Sequence, residues 1–268
     1  MSLYGSDAFS PAEIAARVED VGVAKTRIPL VSLIFLGLLA GAFIALGSLY
    51  YVVVMSDPDL GWAARRVLGG VVFSLGLLLV VVAGAELFTG NNLLAMAWAD
   101  GKVSTRSLLA NWAVVCTANF AGALVVAVLV FLCGHLDANG GAVGRTYVAI
   151  AVAKTSLSPW SAFFSGVLCN VLVCLAVWMT LAGRSVTDKA IAIVLPVSAF
   201  VAAGFEHSVA NMYLIPLGLV QQTSGLGAGI AALFGNLLPV IAGNLVGGSV
   251  LVALVYFVIY RWRGRDPA

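Results

Sequence analysis

The chain has little charge: 10% of its 268 residues are charged, whereas 62% are hydrophobic. A soluble domain typically has about a quarter of its residues charged and about half of them apolar. The mean hydropathy of this chain is +1.06. Because so few polar side chains cannot cover a surface that faces water, we expect an integral membrane protein rather than a soluble domain.

The alternation of polar and apolar residues that marks membrane β-strands is also missing. Apolar residues instead form six long runs, at 28–54, 64–98, 107–133, 160–182, 190–220 and 226–260. A helix of about 20 apolar residues crosses the hydrocarbon core of a bilayer. We therefore predict an all-α fold with six transmembrane helices. Residues 28–260 would form the transmembrane pore domain, between a cytoplasmic amphipathic segment at 1–27 and a cytoplasmic tail at 261–268.

The N-terminal segment has the features of a short surface helix rather than of a cleaved signal. Ser10, Pro11 and Glu13 fit an N-cap, a first-turn proline and an acid at the third position, which predicts a helix that runs to about Thr26. The apolar run that follows is much longer than the core of a signal peptide, so no cleaved signal is expected.

Motifs of enzymes, metal sites and nucleic-acid binding are absent from the sequence. It contains no His-Glu-x-x-His, no Gly-x-Ser-x-Gly and no phosphate-binding loop. The four cysteines lack the spacing of metal ligands and are expected to be packing residues. A net charge of +2, without a basic patch interleaved with aromatic residues, argues against a nucleic-acid partner. We expect a protein that is not an enzyme and that holds no metal or cofactor.

Two glutamates inside the apolar runs share a sequence context. Glu86 and Glu206 each lie in the pattern Ala-Gly-x-Glu-x-x-x-x-Asn, which ends at Asn91 and Asn211. A carboxylate at membrane depth is costly, so its presence indicates a functional site by default. The repeated pattern predicts two related halves with broken helices near the middle of the membrane.

Basic residues are distributed unevenly between the two sides that six spans would create. If the N-terminus is cytoplasmic, ten of the fourteen basic residues lie inside and four lie outside. The positive-inside rule therefore places both termini in the cytoplasm, in a multi-pass protein of a bacterial-type inner membrane. The ten are Arg17, Lys25, Arg27, Lys102, Arg106, Arg184, Lys189, Arg261, Arg263 and Arg265; the four are Arg65, Arg66, Arg145 and Lys154.

This topology makes the two halves an inverted repeat, because three spans separate the second run from the fifth. A second echo supports it: Asn119 and Asn244 both begin Asn-x-x-Gly. Their separation of 125 residues is close to the 120 residues between the two glutamates. Gly-x-x-x-Gly patterns at 37–41 and 243–247 predict seams where helices pack closely.

Residues that favour turns interrupt the second run at Thr89-Gly90-Asn91 and the fifth run at Gly204. Irregular backbone at membrane depth is tolerated where it is buried in protein or lines a cavity. We therefore expect both breaks to face a pore within one chain. Glu86 and Glu206 are expected to bond polar groups of the broken segments, with direct contact to a substrate as the alternative.

Two further side chains are candidates for the pore. His207 is the only histidine inside an apolar run, and histidine can exchange protons with a weak acid near physiological pH. The alternative is a core histidine whose hydrogen bonds are satisfied. Lys154 ends a short apolar segment before the fourth run, where a cation would concentrate anions at a pore mouth. The alternative for Lys154 is an interfacial lysine.

Several stretches are similar to one known family. The most specific are Glu-Leu-Phe-Thr-Gly at 86–90 and Gly-Phe-Glu-His-Ser-x-Ala-Asn-Met at 204–212, together with 169–179, 183–189 and 195–203. From about residue 9 to 260 the chain resembles the formate/nitrite transporter family, most closely its formate-channel branch. The resemblance implies an aquaporin-like fold of two inverted three-helix repeats, a homopentamer in a lipid bilayer, and passage of small monovalent weak-acid anions such as formate and nitrite.

The resemblance also implies roles for single residues. The polar residues of the pore would be His207, Thr89, Asn170 and Lys154, with His207 opposite Thr89. Two apolar constrictions would comprise Leu77, Leu87, Phe88, Val173 and Phe200. The broken helices would be supported by Glu86, Glu206, Asn91 and Asn211. Because an anion pays a large cost to enter an apolar constriction, we expect the anion to gain a proton near His207 and Thr89 and to cross as the neutral acid.

Two departures from the family keep alternatives open. The connection at about 221–225 is shorter than in familiar formate channels, and Gly90-Asn91 follows Thr89 where many formate channels have a serine-containing sequence. The motif of the second run would suit the nitrite branch equally, so a nitrite or hydrosulfide channel is the alternative. A neutral-solute channel of aquaporin type is less favoured, because the sequence has no Asn-Pro-Ala pair.

Overall fold

The computed structural model describes residues 9–221 and 226–262. Within these residues, six helical segments are long and apolar enough to cross a membrane, as predicted. They are Leu30–Met55, Trp62–Gly84, Thr105–Leu132, Pro159–Thr180, Val186–Ala203 and Gly227–Tyr260. Residues 1–8 of the predicted N-terminal segment, most of the short connection at 221–225 and residues 263–268 of the predicted tail lie outside the described residues.

The α-helices of the described chain are numbered in sequence order. They are α1 (Pro11–Thr26), α2 (Leu30–Met55), α3 (Trp62–Leu79), α4 (Leu94–Ala99), α5 (Thr105–Leu132), α6 (Ala142–Thr155), α7 (Pro159–Thr180), α8 (Val186–Ala203), α9 (Ser208–Leu219), α10 (Leu226–Leu245) and α11 (Val255–Tyr260).

Local sequence sets the beginning of α1 as predicted. The Ser10 hydroxyl accepts a hydrogen bond from the Glu13 backbone N–H, and the Glu13 carboxylate accepts one from the Ser10 backbone N–H at 2.7 Å. This capping box satisfies amide groups that the first turn of a helix leaves unpaired. Pro11 fits the first turn because its missing N–H is not needed there.

The helices pack as two similar sets. In the first half α2 packs against α3 and α5, and in the second half α7 packs against α8 and α10. The short helices correspond as well, since α1 packs on α4 and α6 packs on α9. Contacts between α3 and α8 join the two halves. The packing thus follows the inverted repeat expected from the sequence.

Glycines allow the closest helix contacts in each half. A Cβ atom on Gly41 would overlap the backbone of Asn119 in α5, and one on Gly247 would overlap the backbone of Val167 in α7. Helix backbones can approach this closely only where the side chain is missing. The predicted packing seams at 37–41 and 243–247 are therefore confirmed.

The second and fifth spans are interrupted, as predicted. The interruption of the second span is longer than the sequence indicated. After α3 the chain forms a π-helical turn at Val80–Gly84, an extended stretch, and a 3-10 turn at Gly90–Leu93 before α4 begins. The fifth span is interrupted between α8 and α9, where Gly204 has a φ of 79°. The sequence did not predict the π-helical segment Val246–Leu254 that joins α10 to α11.

The described ends of the chain lie on the same side of the helical bundle. α1 packs against α11, and the Glu19 carboxylate of α1 forms an ion pair of 2.9 Å with Arg261 at the end of α11. Six spans lie between α1 and Arg261, and an even number of spans returns the chain to the side on which it started. The predicted topology requires this arrangement.

Candidate functional site

The two helix breaks meet in the interior of the chain. Nε2 of His207, at the start of α9, lies 3.1 Å from Oγ1 of Thr89 in the second span. Both side chains are buried. Residues 118 positions apart in sequence are thus joined by a hydrogen bond where the broken spans face each other.

A second hydrogen bond assigns the tautomer of His207. Its Nδ1 accepts a hydrogen bond of 3.1 Å from the backbone N–H of Ala210 and so caps the N-terminus of α9. A ring nitrogen that accepts a hydrogen bond carries no proton, so the neutral ring has its proton on Nε2. Nε2–H then donates to Thr89, and the hydrogen of the Thr89 hydroxyl is left to donate elsewhere.

A cavity of about 270 Å³ lies on the α6 side of this hydrogen bond, and we call it the Lys154 vestibule. Lys154, Glu206 and His207 contribute polar groups to its lining, together with Arg66 of α3. Apolar side chains complete the wall, among them Phe73 and Phe200. The Phe200 ring stacks on the His207 ring with centroids 5.9 Å apart.

A second cavity, of about 320 Å³, lies on the α1 side and is called the Lys25 vestibule. Lys25 of α1, Glu86 and Asn91 provide polar groups, and Leu77 and Leu87 are part of its apolar lining. The two cavities therefore lie beside the two glutamates of the repeated sequence pattern.

Each vestibule contains the same lysine, glutamate and asparagine arrangement. Nζ of Lys154 lies 2.7 Å from Oε1 of Glu206, while Oε2 of Glu206 accepts from Asn211 at 2.6 Å. On the other side, Nζ of Lys25 lies 2.8 Å and 2.9 Å from the two oxygens of Glu86. Glu86 also accepts from Asn91 at 2.7 Å. Each carboxylate therefore bonds an asparagine of its own broken segment.

A second pair of asparagines fixes the backbone of the two breaks. The Asn119 amide accepts from the Phe88 N–H at 2.9 Å and donates to the Glu86 and Gly37 carbonyls. Asn244 repeats this pattern in the other half, with the Ser208 N–H and the carbonyls of Glu206 and Gly166. Buried backbone groups that a broken helix leaves unpaired thus find partners on the neighbouring span.

The residues assigned to the two predicted constrictions are all buried. Leu77 and Leu87 line the Lys25 vestibule, and Phe200 lines the Lys154 vestibule. Phe88 and Val173 contribute to the lining of neither cavity. Phe73, which the sequence analysis did not select, lies next to Phe200 with ring centroids 5.8 Å apart.

Asn170, predicted as a polar residue of the pore, lies outside the lining of both cavities. It is fully buried, and its Nδ2 lies 2.7 Å from both Oδ1 of Asn92 and the Asn244 carbonyl. A longer contact of 3.2 Å reaches the Thr89 carbonyl. Asn170 thus links the second span to the sixth, and its direct contact with a permeating molecule stays a prediction.

Three polar residues of this arrangement were missed by the sequence analysis. Lys25 was counted only as a basic residue of the N-terminal segment, and Asn111 and Asn236 were not considered. Asn111 and Asn236 accept hydrogen bonds from Asn91 and Asn211, respectively. A usable signal existed, because Asn111 and Asn236 are 125 residues apart, as are Asn119 and Asn244.

The chain is similar to known transport proteins over most of its length. Residues 12–258 match the family described as Formate/nitrite transporter. An uncharacterized transporter, YrhG of Bacillus subtilis (strain 168), is 41% identical over 261 residues, which cover 96% of this chain and 95% of that protein. The formate channel FocA of Escherichia coli (strain K12) is 38% identical over 272 residues, which cover 95% of each chain.

A solved structure agrees with these similarities. The structure described as a pentameric formate channel with formate bound superimposes with a TM-score of 0.78 at 37% sequence identity. The match covers 86% of this chain and 97% of that chain. The predicted fold of six spans in two inverted repeats with broken second and fifth helices is confirmed, and so is the prediction of a multi-pass transport protein.

Proposed function

Because the chain belongs to the formate/nitrite transporter family, we propose that it is a channel for formate and related small monovalent weak-acid anions. One observation carries most of the proposal. The hydrogen bond between Thr89 and His207 lies between two cavities, each with a lysine next to a buried glutamate. This arrangement offers hydrogen-bond donors along a route that is otherwise mainly apolar.

The vestibules would attract the anion by charge. Lys154 and Lys25 place an ammonium group in each cavity, and a cation in a partly dry cleft raises the local concentration of anions. The neighbouring glutamate holds each ammonium in place and reduces its net effect. The outcome is a moderate attraction, which suits a route from which the ion must also depart.

The central section would favour the neutral acid over the anion. Leu77, Leu87 and Phe200 offer no donor to a carboxylate, and a desolvated anion without hydrogen bonds is strongly disfavoured. A weak acid that gains a proton in the vestibule loses most of this penalty. Net transport is then the anion with a proton, or the anion alone if the proton returns to its original side.

The hydrogen bonds of His207 indicate that the side chain donates a hydrogen bond rather than transferring a proton to the anion. Its Nδ1 is engaged by the Ala210 N–H, so the ring can take up a second proton only if that cap opens. In the closed arrangement Nε2–H donates to Thr89, and the Thr89 hydroxyl donates to the permeating molecule. The proton that neutralises formate then comes from the water of the vestibule.

The proposal includes orientation and assembly. The Lys25 vestibule would face the cytoplasm of a bacterial-type inner membrane, since α1, Lys102 and Arg261 lie on that side and basic residues favour the cytoplasm. A homopentamer is proposed from the pentameric relative, with exposed apolar side chains of the spans facing lipid or other subunits. Light scattering of the purified protein measures the number of subunits directly.

Flux into proteoliposomes tests the function. We expect saturable formate uptake at acidic and neutral pH, little water or glycerol flux, and internal acidification during formate uptake if the acid carries its proton across. Protein-free liposomes and a Thr89→Val variant serve as controls. Water or glycerol flux without formate flux would contradict the proposal.

Nitrite in the same assay decides the branch of the family. Nitrite is also a small monovalent anion of a weak acid, so the two vestibules suit it chemically. Nitrite flux far above formate flux would assign the chain to the nitrite branch.

A further inference from the structure

Arg66 has a defined position in the wall of the Lys154 vestibule. It lies on α3, is half-buried, and contributes to the lining of the cavity together with Lys154. Its Nε donates a hydrogen bond of 2.9 Å to the Ala202 carbonyl at the end of α8. A Cβ atom on Gly204 would collide with the guanidinium, so the glycine leaves the space that the Arg66 side chain occupies.

The charges around Arg66 differ from those around the two lysines. Lys154 is paired with Glu206 at 2.7 Å, and Lys25 is paired with Glu86 at 2.8 Å. Within the described residues no carboxylate forms an ion pair with Arg66, and its hydrogen-bond acceptor is a backbone carbonyl. Among the described residues, the Arg66 guanidinium is therefore the positive charge of this vestibule that has no carboxylate as an ion-pair partner.

The two vestibules differ in the number of basic side chains in their linings. Lys25 is the basic residue in the lining of the Lys25 vestibule, and among the residues described there no arginine joins it. The inverted repeat thus supplies one lysine and one glutamate to each cavity, and Arg66 adds a charge to one of them. An excess of positive charge in one cavity favours anion binding there.

We propose that Arg66 is the docking residue for small monocarboxylate anions in the Lys154 vestibule. This inference rests on the proposed function and adds a binding site on one side of the pathway. Nε is engaged with Ala202, which fixes the guanidinium, while the two terminal nitrogens keep N–H groups for a ligand. A carboxylate fits two parallel N–H groups of a guanidinium, which a lysine ammonium cannot offer in the same geometry.

The experiment compares Arg66→Met with Arg65→Met. Arg65 is the neighbouring arginine on α3 and carries the same charge, but it does not line the vestibule and bonds the Asp57 carbonyl instead. Arg66→Lys keeps the charge and removes the fork of N–H groups. Formate flux is measured against formate concentration in spheroplasts and in everted membrane vesicles, so that the anion enters from opposite mouths.

We expect Arg66→Met to raise the half-saturating formate concentration by roughly ten- to a hundredfold, as for the loss of one charge-assisted contact. The rise should occur in only one of the two preparations, and the maximal flux should not fall. Arg66→Lys should give a smaller rise, and Arg65→Met should leave the half-saturating concentration unchanged.

Three results would overturn the docking role. The first is an Arg66→Met variant with the same half-saturating concentration as Arg65→Met. The second is an equal loss of maximal flux from both sides with unchanged half-saturation, which would show a structural role. The third is an equal rise in half-saturation from both sides. Wild-type protein without formate flux would instead refute the proposed function on which this inference rests.

Discussion

At the scale of single residues, the two breaks are related by the repeat but differ chemically where they meet. With the 120-residue spacing of the glutamates, Leu87 corresponds to His207 and Thr89 corresponds to Val209. The lysine, glutamate and asparagine groups around the breaks are repeated, whereas the polar pair at the centre is formed by one residue from each half. The repeated groups therefore stabilise the two helix breaks. The hydrogen-bond donors at the centre come from the pair that is not repeated, Thr89 and His207.

Thr89 offers the simplest test of the central hydrogen bond. Thr89→Val keeps the size of the side chain but removes the hydroxyl, so Nε2–H of His207 loses its acceptor and a permeating acid loses a donor. We expect formate flux to fall by roughly tenfold, the effect of one hydrogen bond. Thr89→Ser keeps the hydroxyl and should retain most of the flux. Wild-type flux in proteoliposomes with Thr89→Val would contradict the donor role.

Lys154 allows a test of the buried ion pair. Lys154→Met leaves the carboxylate of Glu206, whose side chain is 4% exposed, without its cation. Removing one partner of a buried pair costs about 3 kcal/mol or more. The additional change Glu206→Gln should recover more than half of the lost stability, because a neutral amide needs no cation. Unfolding in detergent measures both; a double variant no more stable than Lys154→Met would contradict the explanation.

At the scale of elements, a buried carboxylate of α1 joins this helix to two other segments. Glu19 is fully buried, and its Oε2 lies 2.6 Å from Nζ of Lys102 and 2.9 Å from Nη2 of Arg261. These contacts fasten α1 to the segment after α4 and to the end of α11. Because Lys25 belongs to α1, the same contacts position a residue of the Lys25 vestibule.

Glu19→Gln should therefore loosen α1 without unfolding the spans. The variant leaves Lys102 and Arg261 without this carboxylate, so we expect faster hydrogen exchange in α1 and nearly unchanged exchange in α2 and α5. Asp20→Asn is the matched control, since Asp20 is the neighbouring acid of α1 and is exposed. Equal exchange in both variants would contradict the role of Glu19.

The pH dependence of this attachment follows from Lys102. Hydrogen bonds to Asp100 and then to Glu19 raise the pKa of Lys102 above its ordinary value. A raised pKa in the folded state means that the contact stabilises α1 below about pH 10.4, the ordinary pKa of lysine. Protection of α1 from hydrogen exchange in the wild type should decrease as the pH rises through the raised pKa, and the contact of Glu19 with Arg261 should retain part of it.

At the scale of the whole molecule, the inverted repeat predicts matched energetics in the two halves. Asn119 and Asn244 each make three hydrogen bonds to the backbone around a break. Asn119→Ala and Asn244→Ala should each cost about 3 kcal/mol, because buried backbone groups lose their partners. Thr117→Ala is the control with a small effect, because Thr117 is exposed on α5 and its hydroxyl donates to the Ala113 carbonyl of the same helix. A cost confined to one half would contradict the matched roles.

The sequence by itself determined the architecture of the chain. The six spans follow from the length of apolar runs, and the interruptions near Thr89 and Gly204 follow from residues that favour turns. The repeats around Glu86 and Asn119 indicated two inverted halves. These features could be predicted because hydropathy, helix-breaking tendency and internal repetition are properties of local sequence.

Only the tertiary structure decided which side chains share a cavity. Lys25 meets Glu86 across 61 positions, Arg66 meets Ala202 across 136, and Asn170 bonds the Asn244 carbonyl across 74. Local pattern carries no information about such pairs, because they depend on how α1, α3 and the sixth span pack against the breaks. For the same reason the sequence analysis overlooked Lys25 and used Arg66 only to assign the topology.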